Sequence, residues 1–202
     1  MDRLIALVAL ALLVAAMPVA GADPLAQIAR RLEAHDTGRA DFVQTRTIAE
    51  LERPQVARGR LVWSPGGVIW QVDQPFRTVY VMRDESTVEI SADGTRTERS
   101  TQDEPVAGRV VRILRALFRG DARMLEGLFK ADATLRQDRW TVTLVPRRSP
   151  MSIYLKSIQV SGTNFVEAVR IDDTNGGVTL LQFRNHSLGD LSEEERRLRD
   201  GR

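Results

Sequence analysis

The stretch Gly59–Phe76, GRLVWSPGGVIWQVDQPF, holds two of the chain's three tryptophans, Trp63 and Trp70, on either side of Ser64-Pro65-Gly66-Gly67. The flanking runs are rich in β-branched and aromatic residues, and the Pro-Gly-Gly segment between them marks a turn. Pairing Gly59–Ser64 with Gly67–Val72 sets Trp63 opposite Val68 and Leu61 opposite Trp70. Side chains alternate along a strand, so Leu61, Trp63, Val68, Trp70 and Val72 project from one face. The other face carries Arg60, Val62, Ser64, Ile69 and Gln71, a mixed set. A Pro-Gly corner suits the mirror-type two-residue hairpin turns poorly, so the turn itself is the weak point of this register.

Outward from the hairpin, the same period of two recurs. DFVQTRTIAEL precedes it, and VIWQVD, RTVYVMR and TVEISA continue the series, with Asp93-Gly94 as a further hairpin signal. After Ala133 come RWTVTLVPR, SIYLKSIQVS, FVEAVRID and GVTLLQFRNH, the last two joined through Asn175-Gly176-Gly177. Parity puts Trp140, Val142 and Leu144 on one face, and likewise Ile153 with Leu155 and Val178 with Leu180. Two regions have helical spacing instead. Asp23-Pro24 is an N-cap followed by proline at the first helical position, and Leu25, Ile28, Ala29 and Leu32 form a stripe that ends near His35, with Gly38 as the stop. In Glu104–Phe129, Val110, Ile113, Leu114, Leu117 and Phe118 form an apolar stripe, Gly120-Asp121 breaks it, and a second short helix carries Met124, Leu125 and Leu128. The order is helix, about five strands, a helical insert, then about four strands. It predicts an α+β fold around one large antiparallel sheet, curled by strand twist, with the two helical segments covering one face. The tail, SEEERRLRDGR, is expected to fray.

Composition bounds what this sheet can do. The chain has 202 residues, 43% of them hydrophobic, and 29 basic against 27 acidic side chains. One domain is the expectation, and the near-neutral balance without a long basic run gives no sign of nucleic-acid binding. The absence of cysteine rules out disulfides, zinc–thiolate sites, a thiol nucleophile and a lipidated N-terminal cysteine. At the N-terminus, Arg3 is followed by an apolar run from Leu4 to Met17 and then by Ala20-Gly21-Ala22, an A-x-A cleavage pattern. The run is short for a membrane span. Residues 1–22 are therefore expected to be a signal peptide cut after Ala22, 23–190 a single domain, and 191–202 the charged tail, with the bacterial periplasm as destination.

Enzyme signatures are sparse. His35 and His186 are far apart in sequence and neither has an acid-rich neighbourhood. Asp36-Thr37-Gly38 matches the tripeptide that supplies one carboxylate of an aspartic-protease dyad, but it ends a charged helix instead of following an apolar strand. No G-x-S-x-G, phosphate-binding glycine loop or H-E-x-x-H is present. The expectation is a non-enzyme with no cofactor and no metal. Arg109, Arg112, Arg115 and Arg119 lie mostly off the apolar stripe, where they read as a solvated helix face or as contacts for anionic headgroups.

Several short elements then fall in a recognisable order: Phe42-x-Gln44 in a strand, Gly59-x-Leu61-x-Trp63, Pro65 through Trp70, Pro75 after the next strand, and Leu144-x-Pro146-Arg147. With the leader and the N-terminal helix, this pattern over about residues 24–188 resembles the periplasmic outer-membrane lipoprotein carrier family, the LolA-like proteins. The resemblance implies an incomplete, strongly curved antiparallel β-barrel with short helices covering its mouth. It also implies an apolar interior that takes up acyl chains, passed from an inner-membrane donor to an outer-membrane acceptor by a monomer. Leu61, Trp63, Val68, Trp70, Val72, Trp140, Val142 and Leu144 would then form the cavity wall, and Leu25, Ile28, Leu32, Ile113, Leu114, Leu117 and Phe118 the lid. The sequence departs from the family in four places. Ser64 stands where the family usually has a gating arginine, Val68 where an aromatic residue or leucine is expected, Asp84-Glu85 where Asp-Gly is expected, and the charged tail replaces a phenylalanine-rich extension. The branch is divergent, and the cargo could be a lipoprotein or another amphiphile. Two other classes compete with a carrier: a lipid- or lipoprotein-sensing module of the same fold, and an enzyme that uses the cavity as its active site.

Overall fold

The computed structural model describes residues 23–33, 36–48, 51–100, 113, 116, 118 and 122–201. The leader, His35, and the lid positions Leu114 and Leu117 lie outside these residues. Eleven strands form one antiparallel sheet: β1 (Gly38–Thr47), β2 (Gln55–Ser64), β3 (Gly67–Gln74), β4 (Thr78–Met82), β5 (Ser86–Ser91), β6 (Arg96–Ser100), β7 (Phe129–Arg136), β8 (Arg139–Pro146), β9 (Leu155–Gly162), β10 (Val166–Asp173) and β11 (Val178–Leu188). Their spatial order is β6-β5-β4-β3-β2-β1-β11-β10-β9-β8-β7. Neighbouring strands are sequential except where β1 pairs with β11, which joins the two halves of the chain into one surface. The sheet does not close, because β6 and β7 are its two edges.

The hairpin register is the one that parity demands: Leu61 faces Trp70 and Trp63 faces Val68, with Ser64 opposite Gly67. The poor fit of Pro65-Gly66 is relieved one residue later. Gly67 takes φ +145, and a Cβ there would overlap the carbonyl oxygen of Met82 on β4, so only glycine fits.

Two strands escape the sequence reading. β6, RTERS, is an exposed edge strand with no apolar residue to betray it. β7, FKADATLR, alternates Phe129, Ala131, Ala133 and Leu135 inward with charged and polar residues outward, and it begins well before the expected return of strands after Ala133. Gly38 does not stop a helix; it is the first residue of β1 and lies beneath the Trp63 ring. Ile153 does not share a strand face with Leu155, because Met151–Tyr154 forms one helical turn that leaves Ile153 and Tyr154 exposed.

The helices are α1 (Pro24–Glu33), α2 (Ala122–Leu128), α3 (Met151–Tyr154) and α4 (Glu193–Asp200); Ile113, Ala116 and Phe118 are also helical. Asp23 caps α1 as expected, accepting from the Leu25 amide at 3.1 Å. The apolar core divides in two. One cluster gathers Ile28 and Leu32 of α1, Ile113, Ala116 and Phe118, and the inward residues of β1–β3 and β7–β11. The other lies on the opposite face, where Val62, Ile69, Val79, Val81 and Val88 pack with Leu191 and Leu198.

That second cluster corrects the expectation of a frayed tail. Residues 193–200 form a helix with a full capping box: the Ser192 hydroxyl accepts from the Glu195 amide, and the Glu195 carboxylate accepts from the Ser192 amide. Gly201, in the left-handed region at φ 78, ends it. The sheet is thus covered on both faces, one more cover than the two helical segments read from the sequence.

Candidate functional site

The largest concentration of aromatic side chains lies on the face shared by Trp63 and Trp70. Phe42 of β1 sits 4.2 Å from Trp70, centroid to centroid, and Phe183 of β11 meets Trp70 edge-on at 6.5 Å. Phe118, from the helical segment, stacks on Trp63 at 5.4 Å and meets Phe183 edge-on at 5.1 Å. These offset and edge-on arrangements are the favoured ones for aromatic pairs, each adding about 0.5–1.5 kcal/mol beyond burial. Phe118 thus joins the helical segment to the aromatic face, alongside buried Ile113 and Ala116.

The expected wall residues are brought together. Leu61, Trp63, Val68, Trp70, Trp140, Val142 and Leu144 are all buried in this one cluster, with Val72 half-buried at its margin. Of the expected lid residues, Ile28, Leu32, Ile113 and Phe118 are buried in the cluster and Leu25 packs on its edge. Trp140 is fixed by its indole N–H, which donates to the Thr163 carbonyl at 2.6 Å. Strands from both arms of the sheet, β2–β4 and β7–β9, supply residues to the same cluster, so the sheet curls around it. Burial on this side pushes the Tyr80 phenol above its ordinary value.

Ser64 lies on the other face. Its parity is that of Val62, it is buried, and its hydroxyl donates to the Gly67 carbonyl at 3.3 Å across the turn.

The outer face carries the polar chemistry. Arg39 grips Glu195 through two nitrogens, Nε to Oε1 at 2.6 Å and Nη2 to Oε2 at 2.5 Å, and also donates to the Gly189 and Asp190 carbonyls. This pairing holds the Glu195 carboxyl below the usual carboxylate range and raises the Arg39 guanidinium. Arg83 donates through Nε to the Arg199 carbonyl at 2.7 Å, placing a cation at the C-terminal end of α4. In the sequence this helix was signalled by Ser192 with Glu195 three residues on, the acidic first turn, the basic last turn and Gly201 after it.

A shallow polar depression of about 490 Å³ lies between β9 and β11, lined by Arg139, Glu167, Arg184 and His186 among others. His186 stacks on Phe165 at 4.7 Å, and its Nε2 lies 2.9 Å from the Val166 carbonyl oxygen. A carbonyl oxygen only accepts, so Nε2 carries the proton. Burial depresses the His186 pKa, which favours the neutral ring. The ring is thus committed to a backbone contact. Asp36 and Thr37 form the bend before β1 and do not follow an apolar strand. Among the described residues, no three His, Asp or Glu side chains converge as metal ligands.

A family model described as "Outer membrane lipoprotein carrier protein LolA" matches residues 33–194. Among solved structures, a LolA superfamily protein from Nitrosomonas europaea is similar at 12% identity and a TM-score of 0.46, covering 86% of this chain and 97% of that one. A DUF1329 family protein from Desulfovibrio piger is similar at 9% identity and a TM-score of 0.45, covering 85% and 96%. No curated protein matches the chain.

Proposed function

The chain belongs to the outer membrane lipoprotein carrier family, LolA, and from that premise we propose that it is a periplasmic carrier that takes up the acyl chains of lipidated or amphiphilic cargo. In this reading the chain is not an enzyme and uses no cofactor. It receives its cargo from an inner-membrane donor and delivers it to an outer-membrane acceptor. The observation that carries the proposal is the Phe42–Trp63–Trp70–Phe183 surface of an unclosed sheet, covered by a helical segment through Phe118.

The physics of such a carrier is simple. Each acyl CH₂ removed from water contributes about 0.8 kcal/mol. The curled face can hold a chain only if the cover moves aside. Leu61, Trp63, Val68, Trp70, Val72, Trp140, Val142 and Leu144 form the wall in this reading, with Leu25, Ile28, Leu32, Ile113, Leu114, Leu117 and Phe118 as the lid. Ser64, where the family usually has arginine, bonds within its own turn. It therefore supplies no long polar arm toward the cover, and this leaves room for cargo other than lipoproteins.

Native mass spectrometry of protein recovered from the periplasm, with extraction of bound lipid, tests the proposal. An acyl-bearing adduct is expected, and so is uptake of a fluorescent fatty-acyl probe. A protein that carries no lipid and takes up no probe would not be a carrier.

A further inference from the structure

Seven large hydrophobic side chains stand exposed among the described residues, and only Leu188 lies at the end of the sheet near the Ser64–Gly67 turn. Antiparallel order places the others at the opposite end. β1 runs away from the Ser64–Gly67 turn and β3 returns the same way, so the β1–β2 and β3–β4 connections share that far end. Thr47 pairs with Val178, which puts the β10–β11 hairpin there too, and Leu155 pairs with Asp173, which brings α3 beside it. Three separate connections therefore present apolar tips along one rim: Leu51, Phe76, and the pair Ile153 and Tyr154. Phe76 is 80% exposed and Tyr154 67%, values that a core-packed aromatic side chain never shows.

Each tip has an exposed cation within two residues: Arg77 directly follows Phe76, Lys156 lies two residues after Tyr154, and Arg53 lies two residues after Leu51, beyond the exposed Glu52. The stretch from Arg147 to Lys156 contains no acidic residue. The α3 tip is also held in place. The Thr174 amide donates to the Tyr154 carbonyl at 3.0 Å, and its hydroxyl donates to the Ile153 carbonyl at 2.6 Å. The backbone is tethered while both side chains point away from the core.

We infer that this rim docks on the surface of an anionic lipid bilayer, inserting Phe76, Ile153, Tyr154 and Leu51 among the headgroups while Arg77, Arg53 and Lys156 meet lipid phosphates. The geometry favours a bilayer over a protein groove. The tips sit on the β1–β2, β3–β4 and β8–β9 connections, and strand register places all three at one end of the open sheet. A flat, deformable surface can receive them together, and an apolar tip beside a cation matches the apolar and anionic layers of a membrane interface. No described helix is long and apolar enough to cross a membrane, so the contact would be peripheral. The inference adds a site at the rim to the carrier reading, which concerns the concave face alone.

The test is co-sedimentation with vesicles, using protein in the form its host leaves it. The wild type is expected to bind phosphatidylglycerol-containing vesicles more strongly than pure phosphatidylcholine vesicles, and less strongly as salt rises. The double variant F76S/Y154S should lose affinity by about tenfold or more, since two large apolar side chains no longer leave water on binding. Both positions are exposed, so the variant should keep its unfolding midpoint. No binding by the wild type, or equal binding by the double variant, would overturn rim docking, and the former would point to a protein partner. Uptake of an acyl probe, measured in the same preparations, reads the concave face. Its loss in the wild type with vesicle binding intact would remove the carrier reading and leave rim docking supported.

Discussion

At the scale of single residues, the fold turns on how tightly the β1 backbone approaches Trp63. Gly38 begins β1 directly against the indole, and a Cβ there would overlap Cζ2 of the ring. In an ordinary strand, replacing glycine by alanine is favourable by roughly 0.5–1 kcal/mol, because glycine loses more conformational freedom on folding. Here the opposite sign is expected. The Trp63 ring is buried and stacked on Phe118, so it has nowhere to retreat without disturbing the aromatic cluster. Gly38→Ala should destabilise the protein by about 1–3 kcal/mol, the usual cost of overpacking a filled core. A lower urea midpoint with unchanged slope is the expected outcome, accompanied by a change in tryptophan emission. A neutral or stabilising effect would show that the ring moves freely at this position. Nothing in the local sequence signals the approach. Gly38 reads locally as a helix stop, and only the pairing of β1 with β2, twenty-five residues away, places Trp63 over it.

At the scale of elements, α4 shows why local reading falls short. Residues 191–202 carry two apolar side chains, Leu191 and Leu198, among charges, and no amphipathic stripe of ordinary width can be built from two. What fixes the helix is remote: the outward face of β2–β5, with Val62, Ile69, Val79, Val81 and Val88, must be covered. By contrast, the Gly59–Val72 hairpin was legible to the residue, because its period of two assigns every side chain to a face without reference to the rest of the chain. The local signs of α4 were its two ends, the capping box at Ser192 and Glu195 and the glycine at 201, and not a wide apolar stripe. Acid should reveal how the element is held. The Glu195 carboxyl is depressed, first by its hydrogen bonds from Arg39, so its contribution is complete above the ordinary glutamate value of about 4.3 and is lost as pH falls through its lower native value. His186, depressed by burial, loses its contribution in a higher window, as pH drops from the ordinary histidine value through the lowered one. NMR of the α4 amides should therefore stay unchanged through the histidine window and shift only in the carboxylate window. Glu195→Gln should remove that acid response and loosen α4 at neutral pH by about 1–3 kcal/mol, the range for hydrogen bonds to charged groups. An acid transition that survives in Glu195→Gln would mean another group holds the helix.

At the scale of the whole molecule, the proposed carrier function would divide two tasks between the faces of the sheet. The outer face is closed by α4 through charged and apolar contacts that tie both ends of the helix. The inner face is closed by α1 and the helical segment bearing Phe118, while β6 and β7 remain unjoined edges. An unclosed sheet can widen without breaking its ladder, so cargo entering the inner face need not disturb the outer one. Three measurements on one sample follow from this. A ligand that binds only the native state adds RT ln(1 + [L]/Kd), about 2.7 kcal/mol at a hundredfold excess over Kd. For a chain of this size, each kcal/mol raises Tm by about 2–4 °C, so a saturating fatty-acyl ligand should raise it by roughly 5–10 °C. Tryptophan emission should blue-shift or quench as the ligand enters, since Trp63 and Trp70 lie on the face it occupies in this reading. Hydrogen exchange should meanwhile change in α1 and in the helical segment around Phe118, and stay constant in α4. A flat Tm with unchanged emission at saturating ligand would return both tryptophans to plain core. A Tm rise accompanied by altered exchange in α4 would show instead that the two faces are coupled through β2 and β3.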